Sequence, residues 1–182
     1  MLECLTPASE ALLTLAEARL QCRIDDDDKV QDTLLQILIA AALTQAEAIT
    51  DRPLLPQTWG YSAEAFPAGD IRLKPDVTAV ASVRYTDAAG NAQILPSTAY
   101  RIVERRFLRP TTGWPDGTQA AVEFDCGCFT AATLSPALKA WAQVFVATLF
   151  ANREAINPGV LTELPRTYVD GLLDYLRLGE VG

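Results

Sequence analysis

VQDTLLQILIAAALTQAEAITDRPLLPQTWGYSA, residues 30–63, changes its period part-way along, and that change decides the fold. Up to Ile49, the residues Val30, Leu34, Ile37, Leu38, Ala41, Gln45 and Ile49 recur at helical spacing, and Leu35, Ile39, Ala42 and Ala46 form a second stripe. A helix over about 28–49 with two apolar stripes calls for two partners. One is the chain's own core. Leu35, Ile39 and Ala42 are the candidate contact with a neighbouring subunit, although a helix buried on both sides gives the same pattern. Asp51-Arg52-Pro53 ends the helix, because proline disfavours helical geometry in the residue before it. Beyond it Trp59, Tyr61 and Ala63 alternate with polar residues, which is the period of a strand.

Working upstream, Thr14-Leu15-Ala16-Glu17 is a capping box that starts a first helix running to about Cys22. Residues 2–13 hold Pro7 and no sustained period. The acids Asp25 to Asp28 gather where the second helix begins and read as its cap, since the helix dipole favours negative charge there. Downstream, Ile71 and Leu73 alternate, and Val83 and Tyr85 lead through the turn Asp87-Ala88-Ala89-Gly90-Asn91 to Gln93-Ile94-Leu95, an antiparallel hairpin. Tyr100 to Val103, Phe107 to Arg109 and Ala120 to Cys126 add short strands, with a loop of turn formers from Pro110 to Gly117. Helix returns at Ser135-Pro136, a good N-cap and first helical residue. It runs to about Arg153, apolar nearly all round through Leu138, Trp141, Val144, Phe145, Leu149 and Phe150, as a central rod. Asn157-Pro158-Gly159 breaks it, and a last helix over about Pro165 to Leu178 shows Tyr168, Val169, Leu172, Leu173 and Leu176 on one face before a stop at Gly179. The expected class is α+β: mainly a helical bundle of about four helices, with a small antiparallel β lobe inserted between the second and third. One domain is expected over 1–182, with N-terminal helices at 14–52, the β lobe at 54–129 and C-terminal helices at 135–178.

Composition narrows the function. With 49% apolar and 21% charged residues the 182-residue chain has a globular profile. The apolar stretch Ala140 to Ala151, broken by Gln143 and Thr148, falls short of the roughly 20 residues that cross a bilayer, so no membrane span is expected. Met1-Leu2-Glu3-Cys4 lacks the start of a signal peptide, which implies synthesis in a cytoplasm. A net charge of −8 disfavours a sequence-independent grip on DNA and suits a wall past which DNA slides. No histidine is present, so histidine-based triads fall away, and Cys4, Cys22, Cys126 and Cys128 have no zinc spacing. The pair Cys126 and Cys128 reads as buried free cysteine. No glycine-rich phosphate loop occurs. Asp25 to Asp28 lack the alternation and glycine of a calcium loop. No catalytic residue, cofactor or metal ligand is expected. A carboxylate enzyme would have to use Asp25 to Asp28, or Glu64 and Asp70, in a pocket that raises their pKa. The one concentration of positive charge, Arg101, Arg105, Arg106 and Arg109, is a candidate surface for an acidic patch on a partner or a neighbouring subunit; an ordinary solvent-facing strand pair has the same composition.

Several stretches in order resemble the head-to-tail connector proteins of tailed bacteriophages and prophages. Leu15-Ala16-Glu17-Ala18-Arg19 through Cys22-Arg23-Ile24-Asp25 is similar to that family's first helix, and Leu34 to Ala42 followed by Glu47 to Leu54 to its second helix and exit. Gln57-Thr58-Trp59 resembles the first strand. Ile71 to Pro75, Val80 to Asp87 with Gly90, and Trp114-Pro115 resemble the landmarks of the β lobe. Asn152-Arg153-Glu154, Leu164-Pro165 and Leu172 to Arg177 resemble the closing segment. Two positions depart: Cys22 stands where a histidine is expected, and Phe129 replaces a Gly-Tyr pair after Cys128. The resemblance implies a non-enzymatic adaptor without cofactors, made in the bacterial host cytoplasm and placed in the virion neck. It implies a ring of identical subunits, a dodecamer, under the portal protein, docking the next neck or tail-completion protein while DNA passes through unbound. Another neck or tail-completion protein is the alternative within the same class.

Overall fold

A computed structural model describes residues 1–25, 27–152 and 171–177. The chain divides into two compact units: Met1–Ser9 with Leu55–Cys128, and Glu10–Leu54 with Phe129–Gly182.

The first unit is built of strands, with one short 3-10 helix at Ser97–Ala99. Its strands are β1 (Leu2–Thr6), β2 (Gln57–Ala63), β3 (Ile71–Arg72), β4 (Val77–Thr86), β5 (Ala92–Ile94), β6 (Tyr100–Val103), β7 (Phe107–Pro110) and β8 (Thr118–Cys126). They form two antiparallel sheets, one of five strands in the order β1-β2-β8-β4-β5 and one of three in the order β3-β7-β6. Alternation drives the pairing: Ala120, Val122, Phe124 and Cys126 of β8 are buried while the residues between them are not. The two sheets share one core, in which Ile71 and Leu108 from the smaller meet Val77, Val83, Val122 and Phe124 from the larger. The β4–β5 turn forms as expected. The Asp87 carboxylate accepts from the amides of Ala89 and Asn91, 2.9 Å each, and Gly90 takes the positive φ of 86° that its lack of a Cβ permits.

The second unit holds α1 (Leu15–Cys22), α2 (Asp32–Thr50), α3 (Pro136–Ala151) and a 3-10 helix at Gly171–Leu176. Both arms of the capping box are present: the Thr14 hydroxyl accepts the Glu17 amide at 3.2 Å and Glu17 accepts the Thr14 amide at 2.8 Å. The Ser135 hydroxyl accepts the Leu138 amide at 3.2 Å, with Pro136 at the first helical position. Lys139 of α3 reaches Glu17 of α1 at 2.9 Å, and Arg19 of α1 forks onto Asp32 of α2, its Nε 2.9 Å from Oδ1. Leu35, Ile39, Ala42, Leu138, Trp141, Ala142, Val146 and Leu173 make the core between the helices.

Three expectations are corrected. The molecule is α+β but not mainly helical: eight strands in two sheets stand against three α-helices among the described residues. The strands of the lobe are longer than their sequence alternation suggests, ten residues in β4 and nine in β8. The N-terminus supplies a further strand, β1, which pairs with β2 from Leu2 opposite Tyr61 to Thr6 opposite Thr58. The second correction is the start of α2, at Asp32 and not near Asp28. Asp28 turns its carboxylate onto the Val30 amide at 3.0 Å, and its own amide donates to Asp25, so the acids build turns ahead of the helix. Thirdly, α2 and not Ala140 to Ala151 is the helix that is long and apolar enough to cross a membrane, by length and composition alone. A helix that buries a stripe in a protein core meets the same criterion, and α2 does so. The break at Asn157-Pro158-Gly159, Leu164-Pro165 and the last helix up to Gly171 lie outside the described residues.

Candidate interaction surfaces

The four arginines singled out in the sequence fall on one hairpin, β6 to β7, and the structure adds a fifth. Residues opposite each other on paired strands share a face. Arg101 lies opposite Arg109, and Phe107 lies opposite both Val103 and Arg72. Because Phe107 and Arg109 are two residues apart, Arg72, Arg101 and Arg109 stand on the same side of the small sheet. The opposite side carries Ile71 and Leu108 into the core, which fixes which way the arginines face. Arg72 escaped the sequence reading because it joins the group only through the β3–β7 pairing.

Arg101 and Arg109 are like charges placed directly across from each other, an arrangement that is unfavourable unless an acid intervenes. Asp70 intervenes for Arg109: its carboxylate accepts from Nε at 3.0 Å and from a terminal nitrogen at 2.7 Å. That fork holds the Asp70 carboxyl below the usual range and pushes the Arg109 guanidinium further up. Arg105 is 4.0 Å from the buried Asp76. Arg106 is half-buried, and its Nε has no hydrogen-bond partner. At the tip, Glu104 and Arg105 both have positive φ, 52° and 51°, and the Arg106 amide closes the turn on the Val103 carbonyl at 3.1 Å. Positive φ at both central residues is the type I′ pattern, normally filled by Asn and Gly. The carbonyls of Arg105 and Arg106 in turn accept the amides of Val77 and Leu73, 2.8 Å each, which pins the turn to the chain beside β3.

On α2 the stripe offered as a subunit contact lies in the core, while the other is half-buried at Leu34, Leu38, Ala41 and Ile49. Leu35, Ile39 and Ala42 are 0%, 5% and 0% exposed, facing the chain's own helical core, so this stripe is not available at the surface. Ile37, assigned to the core stripe by spacing, is 61% exposed. Around it Thr33, Gln36, Ala40, Thr44 and Ala48 are also exposed, a face without charge. Spacing alone could not choose, because both stripes are apolar. The acids Asp25, Asp27 and Asp28 are exposed in the connection between α1 and α2.

Nothing among the described residues assembles into a reactive centre of the kinds weighed above. Asp70, one of the two carboxylates a carboxylate enzyme would use, is held on Arg109 with its pKa lowered, the opposite of a proton donor's requirement. No group of three or more Cys, Asp or Glu side chains among the described residues gathers in a metal-holding arrangement. Cys126 is buried and Cys128 half-buried, and neither is in a disulfide.

The family of phage gp6-like head-tail connector proteins matches residues 12–97. No curated protein sequence matches the chain. Three solved structures share the fold over its whole length. A chain from the neck of an empty gene transfer agent (GTA) particle computed with C6 symmetry has a TM-score of 0.80 at 22% identity, covering 100% of this chain and 97% of that one. A chain from the virion of a native GTA particle gives 0.79 at 21%, and one from the neck of a native GTA particle computed with C12 symmetry gives 0.74 at 20%, with the same coverage. The connector resemblance read from the sequence is thus borne out: over residues 12–97 this chain carries the sequence pattern of the phage gp6-like head-tail connector family.

Proposed function

We propose that this chain is a structural head-tail connector, an adaptor in the neck of a tailed phage or phage-like particle. The observation that carries the reading is the coincidence of two independent likenesses: the connector family match over residues 12–97, and a fold shared along the full chain with neck proteins of GTA particles. In that role identical copies form a ring around the axis along which DNA passes. Neck structures computed with C6 and C12 symmetry support ring assembly, and twelve copies is the number the reading favours. The portal on one side and the next neck or tail-completion protein on the other are the expected neighbours. An overall charge of −8 suits a wall that DNA must slide past without adhering. The work is done by surfaces and not by a reactive group.

The test is assembly. Purified protein is mixed with portal-bearing, tailless particles, and the product is imaged by electron microscopy with class averaging. A ring of density added below the portal is expected. A chain that stays monomeric at high concentration and adds nothing to such particles refutes the reading.

A further inference from the structure

A ring of identical copies joined head to tail needs two different surfaces on each copy that fit one another. We infer that the arginine face of the small sheet docks onto the exposed carboxylates of Asp25, Asp27 and Asp28 of a second copy of this chain. The inference rests on the ring reading above and names the contact that closes it.

Charge is the first argument. The chain carries 15 Lys and Arg against 23 Asp and Glu, yet around one short hairpin Arg72, Arg101, Arg105, Arg106 and Arg109 outnumber Asp70, Asp76 and Glu104. Arg109 is matched by Asp70, whereas Arg101, across the strand from it, and Arg72 are in no ion pair among those described. The second argument is the turn. Glu104 and Arg105 hold left-handed backbone that Asn and Gly would hold without strain, and strain retained at an exposed tip is a mark of a functional constraint. The third is the complement. The run of four consecutive aspartates is the densest acidic stretch of the sequence, and it belongs to the other unit of the chain. Its described members are exposed, and among their carboxylates only that of Asp28 is engaged in the described hydrogen bonds, one oxygen accepting the Val30 amide. Guanidinium forks match carboxylates in pairs, so an arginine sheet face and an aspartate run suit each other in chemistry as well as in sign.

Self-association is measured by sedimentation velocity at low ionic strength, and incorporation is scored on portal-bearing particles. Four chains are compared: wild type, Arg101→Glu with Arg105→Glu, Asp25→Lys with Asp27→Lys, and the chain with all four reversals. Each pair of reversals is expected to weaken association about tenfold or more, and the fourfold reversal to restore it to within about threefold. Arg101→Gln with Arg105→Gln, checked for an unchanged melting temperature, is expected to show the same direction with a smaller loss and guards against a folding defect. If arginine reversal weakens assembly while aspartate reversal does not, the face serves another acidic partner or nucleic-acid phosphate, and the inference is overturned. If neither reversal matters while the wild type still assembles, the contact is wrong and the ring reading stands. A wild type that assembles neither alone nor on particles removes both.

Discussion

Replacing Glu104 with Asn is expected to stabilise the sheet unit, and the size of the effect follows from the backbone. Glu104 is exposed, with φ of 52°, and Arg105 after it has φ of 51°. Left-handed helical backbone costs a non-glycine residue roughly 1–2 kcal/mol, less for Asn, whose short side chain bonds locally. Asn at 104 therefore recovers about 0.5–1 kcal/mol. Gly would relieve the backbone further but adds freedom to the unfolded chain, so Glu104→Gly is expected to gain less than Asn does. Hydrogen exchange gives the local reading, because the amides of Leu73 and Val77 are bonded to the carbonyls of the turn at 2.8 Å each. If they exchange by opening of this turn, a gain near 1 kcal/mol slows them about fivefold. In a melt of the whole chain the same gain raises the midpoint by about 2–4 °C. Glu104→Gln controls for charge, since it keeps the shape and the penalty, and should leave both measurements where they are. If the Asn and Gly chains exchange as fast as the wild type while Gln behaves identically, the turn is not strained and the functional weight placed on it is lost.

Two further outcomes follow from the structure. Ile39→Asp puts a carboxylate into the helical core and is expected to cost several kcal/mol or to prevent folding, whereas Ile37→Asp, two residues away on the opposite, open face, should change stability by no more than about 0.5 kcal/mol; equal tolerance by circular dichroism melting would reverse the assignment of the stripes. Acid should destabilise the fold in a definite window. Glu17, Asp70 and Asp87 are all held below their ordinary values of 4.5, 3.8 and 3.8, by the Thr14 amide and Lys139, by Arg109, and by the Asn91 amide and Gln93 respectively. A carboxyl whose folded pKa is depressed contributes stability above its unfolded pKa and loses it as pH falls through the folded one, so melting temperature should drop as pH is lowered from about 4.5. Asp87→Asn should make that drop shallower, and an unchanged profile would remove the turn's carboxylate from the account.

Local chemistry made much of this fold legible. Thr14 and Glu17, Ser135 and Pro136, and the Asp87 to Asn91 turn each act within a few residues, and each appears in the structure as the sequence implies. What escaped is what depends on distant partners. Nothing in Leu2 to Thr6 signals a strand, because its alternation is poor and its pairing lies with Gln57 to Ala63, far along the chain. Charge suits a helix start, which makes the acids before α2 resemble a cap, but short side chains there can also bond the backbone nearby, and Asp28 does so. The arginines were visible as a cluster, whereas their display was not. That Arg101 opposes Arg109, that Asp70 answers one of them, and that Arg72 stands on the same side all depend on strand register.

The place of β8 at the centre of the five-stranded sheet has a consequence for how the protein is made. β8 pairs with both β2 and β4, yet it is the last of the eight strands to leave the ribosome. β1 can pair with β2, and β4 with β5, before it appears, but the inner edges of β2 and β4 keep their backbone groups unpaired until Cys126 has emerged. Completion of this sheet is therefore a late event in biosynthesis, and the growing chain is most vulnerable to aggregation in the interval before it.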